Sequence, residues 1–178
     1  MKTIETERII LRTWRLDDFG DFYEYASDPS VGPSAGWKPH TDRMESLNIL
    51  ISFIEGNEVF AIVDKMSGKA IGSIGLHPDR KRVNPNARMV GYVLSKPFWG
   101  KGLALEAVNA VLDYAFNDLN LNIVSVYHFP FNEQSRRVIE KAGFSFEGIL
   151  REATILPNGE IVDDVCYALT REEYLTRD

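Results

Sequence analysis

The fold of this chain is decided by residues Val90 to Ala107, which read VGYVLSKPFWGKGLALEA. A strand-like run, Met89 to Leu94, ends at a break over Ser95 to Pro97, and the turn Gly100-Lys101-Gly102 follows. An amphipathic helix begins directly after this turn, because its apolar residues recur at helical spacing on one face. These residues are Ala104, Ala107, Val108, Val111, Leu112 and Ala115.

A strand, a glycine-bearing turn and a helix N-terminus together form a binding site for an anion. The first amides of a helix have no intrahelical partner, and the helix dipole adds partial positive charge at the same end. Glycine lets the backbone approach a bulky phosphate closely. The residues alone therefore predict a ligand that carries phosphate, and in particular a pyrophosphate.

Two common phosphate motifs do not fit this turn. The Walker pattern needs Ser or Thr after Gly-Lys, and the dinucleotide fingerprint needs a third glycine where this chain has Leu105.

The stretch Trp99 to Ala104 instead resembles motif A of the GNAT superfamily of acetyl-CoA-dependent N-acetyltransferases, which runs Gln/Arg-x-x-Gly-x-Gly/Ala. Trp99 departs from that motif. An aromatic residue before the first glycine is typical of the ribosomal-protein N-terminal acetyltransferase (RimJ/RimL-like) branch.

A second motif supports the same resemblance. Asn132 to Ser135, followed by Arg136 to Phe144, is similar to the N-x-x-S…E-K-x-G-F signature of the family. From the residues alone, Asn132 is a good N-cap and Gly143 a good helix stop. Thr6 to Arg12 also looks like the first strand of this branch, so the resemblance covers essentially the whole chain.

The order of predicted elements indicates an α+β fold. Apolar alternation and turn residues predict about seven strands. These strands are Arg8–Thr13, Val59–Lys65, Ala70–His77, Arg88–Leu94, Ile123–Phe129, Ser145–Thr154 and Ile161–Leu169. Helices are predicted over Asp17–Ser27, from a Thr41 cap to Ile54, after Gly102 to Asn117, over Asn132–Gly143 and after a capping box of Thr170 and Glu173. Asn158-Gly159 predicts a two-residue hairpin.

The resemblance implies a mixed, mostly antiparallel GNAT sheet with flanking helices, in one domain over residues 1–178. The strand–helix–strand unit around the motif helix requires a right-handed crossover and a parallel pair of strands. In the family, these two central strands splay apart where the cofactor enters.

The resemblance also implies acetyl-CoA as the acyl donor and assigns site residues. The cofactor-binding set is Val93, Leu94, Trp99, Gly100, Lys101, Gly102, Leu103, Ala104, Asn132 and Ser135. The backbone amide of Leu94 would polarise the thioester carbonyl, and Ser135 would protonate the departing thiolate. A first-turn serine also bonds to the local backbone, and Asn132 caps its helix, contacts pantetheine, or does both.

The acceptor is an amine, and the base that deprotonates it stays open between His128, His77 and a water chain. A terminal α-amino group has a reference pKa of about 7.7–8.0 and needs only a weak base. Trp37 forms either a wall of the acceptor site or part of the packing. Cys166 falls in a strand and is expected to be buried and inert, which favours direct attack in a ternary complex.

Composition narrows the function classes. The net charge of −6 argues against a nucleic-acid partner, and no apolar run approaches the ~18 residues of a membrane span. His40, His77 and His128 lack ligand spacing, so no metal is expected, and a single cysteine favours the cytoplasm. The prediction is an acetyltransferase for a peptide or protein N-terminus, acting as a monomer or homodimer. The alternatives are an acetyltransferase for a small amine and a non-catalytic acyl-CoA-binding module.

Overall fold

The computed structural model describes residues 1–177 and gives them eight strands and six α-helices. The strands are β1 (Ile4–Glu5), β2 (Ile9–Thr13), β3 (Val59–Asp64), β4 (Ala70–Pro78), β5 (Ala87–Leu94), β6 (Ile123–His128), β7 (Ser145–Ile155) and β8 (Ile161–Thr170). The helices are α1 (Phe19–Ala26), α2 (Gly32–Ala35), α3 (Arg43–Gly56), α4 (Leu103–Asp113), α5 (Glu133–Lys141) and α6 (Arg171–Thr176).

The strands form one sheet in the order β1-β2-β3-β4-β5-β6-β8-β7. The β5–β6 pair is parallel, while β1–β2, β2–β3, β3–β4, β6–β8 and β7–β8 are antiparallel. The predicted mixed, mostly antiparallel α+β fold is therefore confirmed, including the parallel pair around the motif helix. The count of about seven strands was one too low, because the two-residue strand Ile4–Glu5 is too short to carry an alternating pattern.

The parallel ladder between β5 and β6 is short. It pairs Ala87–Met89 with Ile123–Ser125, and β6 continues beyond it to His128. The hydrogen-bonded register thus ends before the strand does, as expected at the start of a splay.

Chain contacts divide the molecule into two compact units. The first contains Met1–Gly75 and Tyr92–Ala107, and the second contains Leu76–Gly91 and residues 108–177. The prediction of one GNAT domain over 1–178 stays a prediction, and its last residue, Asp178, lies outside the described residues.

The core of the first unit is an aromatic cluster between α1, α3 and the sheet. Trp14 and Phe22 meet edge to face at 5.3 Å, and Phe22 meets Tyr25 at 5.4 Å. Offset and edge-to-face arrangements suit the ring quadrupoles, so the cluster stabilises this unit beyond simple burial. The N-cap of α3 is Asp42, which accepts a hydrogen bond from Met44 N, and not Thr41 as predicted.

The second unit is built on the buried face of α4 and on β6 and β8. Val108, Val111, Leu112 and Ala115 are all buried, as their helical spacing predicts. The helix continues as a π-helical turn over Tyr114–Asp118. No helix within residues 1–177 combines the length and the apolar character that crossing a membrane would require.

The loop that follows β4 is held to β6 by hydrogen bonds. The carboxylate of Asp79 accepts hydrogen bonds from Ser125 Oγ at 2.6 Å, Tyr127 Oη at 2.7 Å and Lys81 N at 2.8 Å. Burial alone would raise its pKa, but these bonds, with one from Arg82, hold the pKa of Asp79 below its usual range. Burial also raises the pKa of Tyr127 to about 12. The loop is thus fixed by a satisfied buried network.

Candidate active site

The predicted anion turn lies in the first unit and has the backbone that its sequence indicated. Gly100 and Gly102 have φ angles of 73° and 79°, a region that residues with a Cβ rarely adopt. A hydrogen bond from Glu106 N to Gly102 O begins α4. The amides of Leu103, Ala104 and Leu105 therefore precede the intrahelical ladder and are the natural donors to an anion.

A charged pair that the sequence analysis missed supports this turn. Arg8 donates from Nη1 to the carbonyl oxygen of Lys101 at 2.8 Å and from Nε to Glu106 Oε2 at 2.7 Å. Glu106 Oε1 also accepts from Arg8 N at 2.8 Å and from Thr6 Oγ1 at 2.6 Å. The segment before β2 therefore holds both the turn and the first turn of α4 in place. We refer to Thr6, Arg8 and Glu106 as the turn brace.

The electrostatics of the brace follow from these bonds. Burial opposes the charged form of Glu106, yet the hydrogen bonds from Thr6 and Arg8 outweigh it and lower the pKa of Glu106. The carboxylate is thus ionised at neutral pH and binds Arg8 with charge-assisted bonds. Lys101 adds a further positive charge at the turn, with its Nζ 5.2 Å from the centre of the Phe98 ring.

The end of β5 is held by two contacts at Val93 and Leu94. Trp99 Nε1 donates a hydrogen bond of 2.7 Å to the carbonyl oxygen of Leu94. Gly72, on β4, lies so close that a Cβ built there would be 2.2 Å from the Val93 carbonyl oxygen. Trp99 therefore has a structural partner at the predicted acyl site, and Gly72 is a second residue that the sequence analysis missed.

Asn132 and Ser135 lie in the second unit, at the start of α5. Asn132 Oδ1 accepts a hydrogen bond of 3.0 Å from Ser135 N, so Asn132 is the N-cap that its sequence predicted. The Ser135 side chain lies in the first turn and is half-buried. These two residues are brought together, and the glycine turn, Val93 and Leu94 are likewise brought together within the first unit.

Trp37 packs inside the first unit. Its ring centre is 5.2 Å from that of His40, and a Cβ on Gly32 would be 2.7 Å from its ring. Trp37 is therefore at least a packing residue, and its part in an acceptor site stays a prediction. Cys166 is buried, with its thiol donating to the Asp164 carbonyl, and burial is the main cause that raises its pKa. A neutral, enclosed thiol is a poor nucleophile.

The base candidates differ in their surroundings. His77 is half-buried at the end of β4, whereas His128 is buried at the end of β6. No group of three or more His, Cys, Asp or Glu side chains suited to a metal ion occurs among residues 1–177.

Known proteins are similar to this chain in both sequence and fold. The sequence model of the acetyltransferase (GNAT) domain matches residues 8–145. This chain belongs to the GNAT family. It is 32% identical to the uncharacterized N-acetyltransferase p20 of Bacillus licheniformis, over 98% of this chain and 99% of that protein. The predicted superfamily and the predicted enzyme class are therefore confirmed, and the chain is an N-acetyltransferase.

Two further relatives are similar to this chain at lower identity. A GNAT-family acetyltransferase from Bacillus anthracis has the same fold with a TM-score of 0.88, at 27% identity over 97% of this chain and all of that one. The [ribosomal protein uS5]-alanine N-acetyltransferase of Escherichia coli is 24% identical over 96% of this chain and 92% of that protein. GNAT enzymes use acetyl-CoA and act on an amine acceptor.

Proposed function

We propose that this GNAT enzyme transfers the acetyl group of acetyl-CoA to the α-amino group of a peptide or protein, in the cytoplasm. The observation that carries the proposal is the braced turn Gly100–Gly102 at the N-terminus of α4. The similarity to the uS5-alanine acetyltransferase supports an N-terminal amine as the acceptor. The brace matters because a pre-ordered turn spares the cofactor the entropy of ordering it.

The cofactor's pyrophosphate oxygens accept hydrogen bonds, and the turn offers backbone amides and the positive charge of Lys101, while its Lys101 and Gly102 carbonyl oxygens are bonded to Arg8 and to Glu106 N. The proposed donors are the backbone amides of Gly100–Leu105, with Lys101 adding charge, while the Trp99 amide is bonded to the Lys96 carbonyl oxygen at 3.1 Å. Val93 and Leu94, at the end of β5, hold the acyl end of the cofactor. In the second unit, Asn132 and Ser135 are proposed to contact it as well.

Acetyl transfer needs a hydrogen-bond donor to the developing oxyanion and a proton source for the departing thiolate. The Leu94 amide donates to the thioester oxygen as the amine attacks, and a donor of this kind is worth about 2.7–4 kcal/mol in other enzymes. Ser135 gives a proton to the thiolate when the carbon–sulfur bond breaks. α5 contains no tyrosine that could take this part. Cys166 takes no part, since its thiol is protonated and enclosed, which favours direct attack by the amine.

The acceptor class follows from the cost of making a neutral amine. An α-amino group with a pKa of about 7.7–8.0 loses its proton at pH 7.4 for less than ~1 kcal/mol. A lysine-type amine with a pKa of about 10.4 costs ~4 kcal/mol by the same arithmetic. An N-terminal amine therefore needs less help from an enzyme base to lose its proton. Trp37 remains the proposed aromatic wall for this acceptor.

The test combines binding with turnover. Acetyl-CoA is titrated calorimetrically into the protein, and thiol release is then followed with an alanyl peptide, its N-acetylated form as control, free lysine and spermidine. Binding with release on the alanyl peptide supports the proposal. Release on spermidine or lysine alone contradicts the peptide assignment, binding without release on any amine favours an acyl-CoA-binding module, and no binding refutes the cofactor site.

The part played by Ser135 is tested separately. Ser135→Ala keeps the backbone amide that Asn132 caps, so we expect unchanged acetyl-CoA affinity and a turnover rate reduced by about 10²-fold. Full turnover in this variant would remove Ser135 from the mechanism.

A further inference from the structure

His128 carries a buried nitrogen that has no partner. The residue is 6% exposed, and its Nε2 is fully enclosed without a hydrogen bond to any described group. Its Nδ1 lies 2.8 Å from the carbonyl oxygen of Phe129. Because a carbonyl oxygen can only accept, Nδ1 carries the proton, and Nε2 of the neutral ring is left with its lone pair.

The surroundings of this ring keep that lone pair available. His128 ends β6, past the last residue that pairs with β5, and its ring lies 5.7 Å from that of Tyr167 on β8. The hydroxyl of Tyr167 points to Glu140 on α5, at 3.4 Å. Glu133, in the first turn of α5, also interacts with the ring. The hydrogen bond from Arg136 is the main cause that lowers the pKa of Glu133, and His128 is the last of the charged groups that add to it.

A buried acceptor without a donor destabilises a protein, because the lone pair has lost its water and gained nothing. Ser135 and Glu133 share the first turn of α5, and the interaction of Glu133 with the His128 ring places that turn near His128. We infer that His128 Nε2 is the base that takes the proton from the acceptor ammonium. The inference rests on the proposed function and selects His128 from the bases that the sequence left open.

The proton balance is complete without another reactant. The N–H bond of the ammonium breaks, and the proton passes to Nε2, directly or through one water that enters with the substrate. The neutral amine attacks the thioester carbonyl, the carbon–sulfur bond breaks, and Ser135 protonates the thiolate. The nitrogen loses its second N–H proton as it becomes an amide, and this proton restores the Ser135 hydroxyl. The imidazolium then releases its proton to solvent. Nε2 is enclosed in the free enzyme, so this step requires the surrounding side chains to open when the substrate binds. The geometry of a free enzyme does not by itself exclude a base.

The test uses His128→Asn, whose amide can still donate to the Phe129 carbonyl but offers no basic nitrogen. With acetyl-CoA and the alanyl peptide, we expect kcat to fall about 100-fold, with acetyl-CoA affinity and melting temperature unchanged. The ascending limb of kcat/KM against pH should move to the pKa of the free peptide amine, since no enzyme base is left to deprotonate it. His77→Asn is the matched control and should keep the wild-type profile.

A second measurement does not depend on turnover. Nitrogen-15 NMR of the imidazole rings reports which nitrogen is protonated, and His128 is assigned by its loss in His128→Asn. An unprotonated Nε2 in the neutral ring supports the inference, and a protonated Nε2 overturns it. Wild-type activity and pH profile in His128→Asn would also overturn it while leaving the proposed function intact. A wild-type enzyme that binds acetyl-CoA but acetylates no amine refutes both.

Discussion

Removing the charge of Glu106 should loosen the glycine turn without touching a residue of the proposed site. Glu106→Gln keeps the size of the side chain and can still accept from Thr6 and from Arg8 N through its single oxygen. Its amide NH₂ then faces Arg8 Nε and Nη2, where Glu106 Oε2 now lies 2.7 Å from each. Donor meets donor, so Arg8 is released from Glu106 and its bond to the Lys101 carbonyl weakens.

The size of the effect follows from the lost bonds. Hydrogen bonds to charged groups contribute about 1.5–3 kcal/mol, but the Arg8 side chain is 46% exposed and solvent screens part of this. We expect the free energy of unfolding to fall by about 1–2 kcal/mol. If half of this energy orders the turn, the Kd for acetyl-CoA rises about two- to fivefold, since ~1.4 kcal/mol is one factor of ten.

Calorimetric titration with acetyl-CoA and urea denaturation measure the two effects on the same variant. Glu24→Gln is the matched control, because Glu24 and Lys69 form an exposed pair at 3.6 Å in the same unit and such pairs contribute little. Arg8→Met should weaken acetyl-CoA binding and lower the free energy of unfolding as Glu106→Gln does. The double variant should lose no more free energy than the more severe of the two single variants, because both remove the same interaction. Unchanged affinity and stability in Glu106→Gln would refute the reasoning.

The pH dependence gives an independent check with a definite sign. The pKa of Glu106 is lowered in the folded state, so its contribution is complete above the unfolded value of about 4.3 and is lost as the pH falls through the folded value. The stability difference between wild type and Glu106→Gln should therefore be constant from pH 8 to about pH 5 and shrink below about 4.3. A difference that instead grows on acidification would contradict the assignment.

Three further variants test other contacts at the site. Gly72→Ala forces a Cβ against the Val93 carbonyl oxygen and should cost about 1–3 kcal/mol in urea unfolding while lowering kcat; wild-type values for both would contradict this. Trp99→Phe removes the bond to the Leu94 carbonyl and should lower kcat more than it weakens acetyl-CoA binding, which steady-state kinetics would show. Asn132→Ala removes an N-cap and should lower the unfolding free energy by ~1 kcal/mol; an unchanged denaturation midpoint would rule out the cap.

Local patterns in the sequence predicted the elements well. The apolar spacing of α4, the cap at Asn132 and the capping box of Thr170 with Glu173 all depend on residues within a few positions of one another, and all are confirmed. Where two neighbouring residues can both cap a helix, the sequence does not decide between them. Asp42 caps α3 in place of its neighbour Thr41.

The β7–β8 hairpin shows the same limit. Hydrogen bonds join Gly159 N to Leu156 O and Leu156 N to Glu160 O, so the loop has three residues, Pro157 to Gly159, and not two. The Asn-Gly pair fixed the position of the turn, while the preceding proline favours the longer type I form.

The brace and the close approach at Gly72 could not be predicted, for a different reason. Arg8 and Glu106 are 98 positions apart, and neither residue interrupts the local pattern of its own element. Gly72 reads as an ordinary strand glycine until β5 is placed against it. Contacts between distant segments depend on strand order and register, which a single sequence does not encode locally.

The hydrogen bond from the Trp99 indole to Leu94 also equips the enzyme with an optical reporter. The chain has three tryptophans, of which Trp14 is buried in the aromatic cluster and Trp37 packs on His40. Replacing Trp14 and Trp37 by Phe would leave a single fluorophore attached to the carbonyl of the residue proposed to hold the acyl group. Its emission would then report binding of the acyl donor in real time, without a label and before the acceptor is known.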